Sequence, residues 1–161
     1  MYVMARNESA PSTPVIPGFY LRPRLQGFAV HLNANPQHLS DVRALTAKVL
    51  TVAGVDADTV ESAQLVVSEL VGNAVRAFGD WVPLVVEVNA APFGVAVNVH
   101  DPDPRRLPRR RGVALDDAEA ESGRGLSILD LLAPGWRIAR SPIGKQVRCR
   151  LTCPDRVAAP V

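Results

Sequence analysis

The apolar residues of this chain keep two rhythms, and each rhythm marks out elements. Leu39, Val42, Leu45 and Val49 recur at helical steps behind Pro36, and Gly54 follows them. That spacing predicts a helix that opens at Pro36 and closes at Gly54. A second helix starts at Asp56 or Asp58. Val60, Ala63, Val67, Leu70, Val71 and Ala74 form its apolar face, and Gly79 stops it. Residues 27–32 read as a short strand. In two further runs the period is two: Leu84, Val86 and Val88 alternate with Val85, Glu87 and Asn89, and Val95, Val97 and Val99 alternate with Ala96, Asn98 and His100. The break at 92–94 makes them an antiparallel hairpin. A third helix is expected over residues 123–132. Residues 136–140 and 145–152 form a second hairpin through 142–144.

The predicted order is βααββαββ. It implies an α+β two-layer sandwich, with a mixed, largely antiparallel sheet covered on one face by three helices. Residues 26–153 would form this single domain. Residues 1–25, with Pro11, Pro14, Pro17 and Pro23 among polar residues, read as a disordered N-terminal tail, and residues 154–161 as a C-terminal one. Between 101 and 122 the periodicity stops amid prolines, arginines and acids. A loop of that length inside a small domain reads as a lid or binding loop.

Composition narrows the function classes. The chain has 161 residues, enough for one domain with tails. Its formal net charge of +2 gives no argument for direct nucleic-acid binding. The two cysteines, Cys149 and Cys153, make neither a disulfide scaffold nor a zinc pattern, and read as free thiols in a reducing compartment. No run approaches the roughly 20 apolar residues of a membrane span, and the N-terminus lacks the apolar stretch of a signal peptide. The expected location is the cytoplasm, without membrane contact.

Three clusters carry candidate chemistry. Glu69 and Asn73 lie four residues apart on the second helix and share a face. A carboxylate and an amide on one turn suit a hydrated magnesium ion, and a carboxylate can take a proton from an attacking hydroxyl. The same pair also fits a solvated glutamate beside an asparagine bonding locally. Asp101 has the parity of Val95, Val97 and Val99, so it points toward the helix layer just past the strand. There it can accept a hydrogen bond from an exocyclic amine, or simply start a turn before Pro102. Gly123, Arg124, Gly125 and Leu126 follow the long loop and open the third helix. Glycines let backbone approach a ligand, and free N–H groups at a helix start suit phosphate, to which Arg124 adds charge.

In this order, these elements resemble the GHKL, or histidine-kinase-like, ATPases. Ser68-Glu69-Leu70-Val71-Gly72-Asn73-Ala74 looks like the family's N-box. Asp101 looks like the adenine-binding Asp of its first glycine box, and Gly123-Arg124-Gly125-Leu126 like its second. Gly144-Lys145-Gln146-Val147 resembles its final strand motif, commonly Gly-Lys-Thr. The resemblance is closest to stand-alone proteins similar to anti-sigma-factor serine/threonine kinases. It implies ATP and Mg²⁺ as ligands. Glu69 would be the general base, Asn73 the magnesium ligand and Asp101 the reader of adenine. Gly123, Arg124, Gly125 and Leu126 would hold phosphate, with Lys145 also in the ATP site. Two positions depart from the family pattern. Asp103 stands where a glycine is usual, and Gln146 stands where a Thr is usual, which would remove a hydroxyl from the adenine end.

The resemblance implies transfer of the ATP γ-phosphate to a Ser or Thr of an anti-sigma-antagonist protein. A non-catalytic ATP-binding module that sequesters a partner is the alternative. A detached histidine-kinase catalytic domain is a third reading, disfavoured because no helix with a phospho-acceptor histidine precedes the fold. A sigma factor or its antagonist is the expected partner, and a homodimer is possible because relatives often dimerise.

Overall fold

The computed structural model describes residues 17–103 and 121–154. The elements run β1 (Phe19–Arg24), β2 (Gly27–Asn33), α1 (Pro36–Val52), α2 (Ala57–Phe78), β3 (Pro83–Ala91), β4 (Gly94–Asp101), α3 (Glu121–Leu132), β5 (Arg137–Ser141) and β6 (Gly144–Thr152). The strands form one six-stranded sheet in the order β1-β2-β3-β4-β6-β5. Every neighbouring pair is antiparallel, so the sheet is antiparallel rather than mixed. Helix α2 packs on β4 and β6, α1 on β2 and β3, and α3 on α2. The result is the expected α+β sandwich, with one sheet face under helices and the other left open by the described elements.

Side-chain alternation builds the core. Val30, Val86, Val88, Val95 and Val97 point from the sheet toward Val42, Leu50, Val66, Val67, Val71 and Leu129 of the helices, and all are buried. The helix starts are capped. Asn35 accepts the His38 N–H at 2.8 Å ahead of Pro36, and Asp56 accepts the Thr59 N–H at 2.9 Å. Asp56 rather than Asp58 is therefore the cap of α2, and Gly79 closes that helix at a φ of 90°.

One correction concerns the N-terminus. Residues 19–24, assigned from sequence to the tail, are strand β1. They pair with β2 and pack Phe19 and Leu21 against the core. A proline inside a short polar run argues against a strand, yet an edge strand has only one partner and tolerates Pro23. Helix α3 starts two residues before its expected first residue, so the segment from Gly123 to Leu126 lies within its opening turns. Most of the expected lid, residues 104–120, lies outside the described residues, as do residues 155–161 of the C-terminal tail. No helix among the described residues is long and apolar enough to cross a membrane.

Candidate nucleotide-binding site

The C-terminal half of α2 runs under the sheet with Leu70, Val71 and Ala74 buried against it, which turns Glu69, Asn73 and Arg76 to the rim of the helix layer. Arg76 joins the other two. Its Nη2 donates to the Asn73 Oδ1 and lies 4.0 Å from the Glu69 Oε2. Gly72 keeps room for that guanidinium, since a Cβ there would come within 3.3 Å of the Arg76 Nη1. Asn73 and Glu69 thus share a face as the spacing required, and a cation already bridges them.

At the far end of the same helix is a second cluster. Asp101 closes β4 with its carboxylate on the helix side, as its parity predicted, and it is buried. Lys145, its register partner on β6, places its Nζ 2.8 Å from the Asp101 Oδ2 and 3.0 Å from Oδ1. The ammonium also donates to the Asp103 carbonyl at 3.2 Å and sits 5.3 Å from the centroid of the Phe78 ring. Lys145 is only 4% exposed, and these partners offset the cost of burying its head group.

The Asp101 carboxylate keeps limited room for a ligand. It has about four acceptor directions. Lys145 takes one on each oxygen, and the Asp103 N–H takes another on Oδ1 at 3.1 Å. One direction, on Oδ2, remains for an exocyclic N–H such as adenine N6.

Sequence reasoning missed two participants and misjudged one. Arg76 had a usable signal, since it lies three residues beyond Asn73 and seven beyond Glu69 on one helical face. Phe78 had none, because its ring contact depends on tertiary packing. Gln146 alternates with Lys145 and therefore faces the open side of the sheet. There it meets the His100 Nε2 at 2.8 Å and accepts from the Arg148 Nε at 2.6 Å. The substitution at 146 consequently removes nothing from the helix-side cluster, contrary to expectation. The side chains of Gly123, Arg124, Gly125 and Leu126 fall outside the described residues.

A family model described as a histidine kinase-like ATPase domain matches residues 32–151. The chain belongs to this family. A curated protein of Streptomyces coelicolor, itself described as uncharacterized, is 40% identical over 72 residues, which is 44% of this chain and 67% of that protein. The family binds ATP, usually with magnesium. The donor chemistry fits both. Among the described residues no group of three or more His, Cys, Asp or Glu side chains could hold a metal by itself. The Asn73 amide oxygen and the Glu69 carboxylate are hard oxygen donors, suited to an ion that takes its remaining oxygens from phosphate and water. Arg76 must yield those oxygens before the ion can use them.

Proposed function

We propose that this ATP-binding domain is a serine/threonine protein kinase acting on an anti-sigma-antagonist protein, with ATP and Mg²⁺. The observation that carries the reading is the sharing of one helix by both halves of the site. Phe78, at its end, faces the Lys145 ammonium, and Glu69 and Asn73 lie nine and five residues back. At about 1.5 Å per residue, Glu69 and Phe78 are roughly 13 Å apart along the axis, a separation suited to an extended nucleotide lying beside α2.

In the proposed reaction Asp101 accepts from the adenine amine. Asn73 would hold the magnesium ion, which would neutralise charge on the phosphates. The hydroxyl oxygen of the substrate attacks the γ-phosphorus while its proton passes to the Glu69 carboxylate. The bond to the β-phosphate oxygen breaks and ADP leaves. The backbone of the segment from Gly123 to Leu126, with Arg124, and Lys145 complete the ATP-binding set. The protein would act in the cytoplasm, with a sigma factor or its antagonist as partner.

One observation favours the non-catalytic alternative. Arg76 engages both Glu69 and Asn73, and a carboxylate that faces a guanidinium is not free to meet a substrate hydroxyl. Incubation with labelled ATP and candidate antagonist proteins separates the readings. Magnesium-dependent label on a Ser or Thr supports the kinase. Partner binding by the wild-type protein without label overturns it in favour of a sequestering module.

A further inference from the structure

We infer that the open face of the sheet is a docking surface for an acidic segment of a partner protein. This face lies on the opposite side of the sheet from Asp101 and Lys145, and the inference does not depend on the kinase reading. Strand alternation puts Arg22 and Arg24 of β1, Arg148 and Arg150 of β6 and Arg137 of β5 on it. All five are exposed. Among the described residues the strands bring no lysine and no aspartate to this face, and one glutamate, Glu87. That carboxylate is already occupied. The Arg24 Nη2 donates to it at 3.0 Å, the His100 Nε2 lies 3.5 Å away, and the Asn98 and Gln146 amides reach it at 3.4 and 3.5 Å. Arg24 and Glu87 offset each other, so the accessible charge that remains, from Arg22, Arg137, Arg148 and Arg150, is positive.

The arginines stand on two sides of a low floor. In the row Arg22–Ala29–Glu87–Asn98–Arg148, each residue is the register partner of the next. The adjacent row runs Arg24–Gly27–Asn89–Ala96–Arg150. Glycine and alanine keep the floor shallow. Four strand spacings of about 4.8 Å put the two arginine sides roughly 19 Å apart. A helix with its side chains is about 10–12 Å across, so it fits between them and can offer carboxylates to both. Guanidinium forks suit carboxylates, and two of these are held in place beforehand: Arg148 by Gln146, and Arg150 over the Phe93 ring at 4.9 Å.

The same features weigh against other occupants. A second copy would set arginine rows against arginine rows across a two-fold interface. A single-stranded nucleic acid needs a stacking platform, and the strand positions between the arginines carry no Phe, Tyr or Trp; Tyr20 stands on the edge strand, and Phe93, in the β3–β4 turn, is covered by Arg150.

The test uses the full chain and a glutamate-rich amphipathic helical peptide, with a duplex DNA and a poly-uridine strand in parallel. Amide-shift mapping should put the peptide footprint on β1 to β6, with its open-face residues moving most. Arg22→Glu with Arg137→Glu should weaken peptide binding by roughly tenfold per reversed charge. Lys48→Glu, an exposed reversal on α1, should change it by less than about twofold. ATP affinity should be the same in all three proteins, which checks that the fold is intact. Equal weakening by Lys48→Glu would overturn the proposal, because the attraction would then be general. Tighter binding of either nucleic acid to this face would overturn it in favour of that ligand. Self-association that buries the face and blocks the peptide would replace the partner with a second copy.

Discussion

Lys145 and Asp101 are 44 residues apart in sequence and face each other across the β4–β6 pair, both buried, with the Lys145 Nζ 2.8 Å from the Asp101 Oδ2. A carboxylate expected to be free for adenine is thus half of a buried ion pair. Removing one member of such a pair strands the other, typically at about 3–5 kcal/mol. Asp101→Asn should therefore lower stability as well as ATP affinity, the latter by at least about tenfold. Asp101→Asn combined with Lys145→Met should recover most of the stability without recovering ATP binding. Thermal melts and calorimetry on the single and double variants check this. ATP binding by the double variant at wild-type affinity would remove Asp101 from the site.

Asp56 makes a separate, pH-dependent contribution. Its Oδ2 accepts from the Cys153 Sγ at 2.8 Å and the Thr59 Oγ1 at 2.6 Å, and its Oδ1 accepts the Thr59 N–H. The Cys153 bond first, then the two from Thr59, pull its pKa from 3.8 to about 2. A carboxyl with a depressed folded-state pKa stabilises the fold above the unfolded value, and that contribution fades as pH falls from about 3.8 through about 2. Asp56→Asn keeps a capping oxygen but does not titrate. Wild type should lose more stability than Asp56→Asn between pH 5 and pH 2, read by urea unfolding at each pH. At neutral pH, Asp56→Ala should cost about 0.5–2 kcal/mol as a lost N-cap.

The contrast between what was legible and what was not follows from the range of the interactions involved. The faces of α1 and α2 and the β3–β4 hairpin were readable because each is set by residues a few positions apart. Asp101 was assigned to the helix side by parity alone, and parity also puts Gln146 opposite Lys145, a deduction the motif match obscured. The Lys145–Asp101 contact was not readable, since it needs the β4–β6 register. Strand β1 was hidden because Pro23 and an exposed polar face are acceptable only on an edge, and edge position is a property of the assembled sheet.

Gly144 shows how a motif glycine can be required by a neighbour. Its φ is 146°, and a Cβ there would lie 2.0 Å from the Asp101 carbonyl oxygen and 2.6 Å from the Pro102 carbonyl carbon. Backbone on that side cannot give way without moving Asp101. Gly144→Ala should therefore lower the melting temperature by several degrees and weaken ATP binding, by the strain of the conformation and the displacement of β4. An unchanged ATP affinity alongside a lowered melting temperature would mean that the end of β4 is not part of the site.

The bridge that Arg76 makes between Asn73 and Glu69 allows metal binding, proton transfer and simple structure to be told apart. Arg76 is exposed and its pairs are on the rim, so Arg76→Ala should change stability by no more than about 1 kcal/mol. It should also free both oxygens, lowering the magnesium concentration needed for half-maximal ATP binding. Asn73→Ala should do the reverse, weakening magnesium-dependent ATP binding and phosphate transfer together. Glu69→Ala should bind ATP almost normally and transfer phosphate at least about a hundredfold more slowly, as expected when a general base is lost. Titrating ATP at fixed magnesium, then magnesium at fixed ATP, followed by single-turnover transfer, resolves the three variants. Parallel loss of ATP affinity in Glu69→Ala and Asn73→Ala would make the pair structural. Rising magnesium demand in Arg76→Ala would mean that the guanidinium serves the nucleotide rather than competing with its metal.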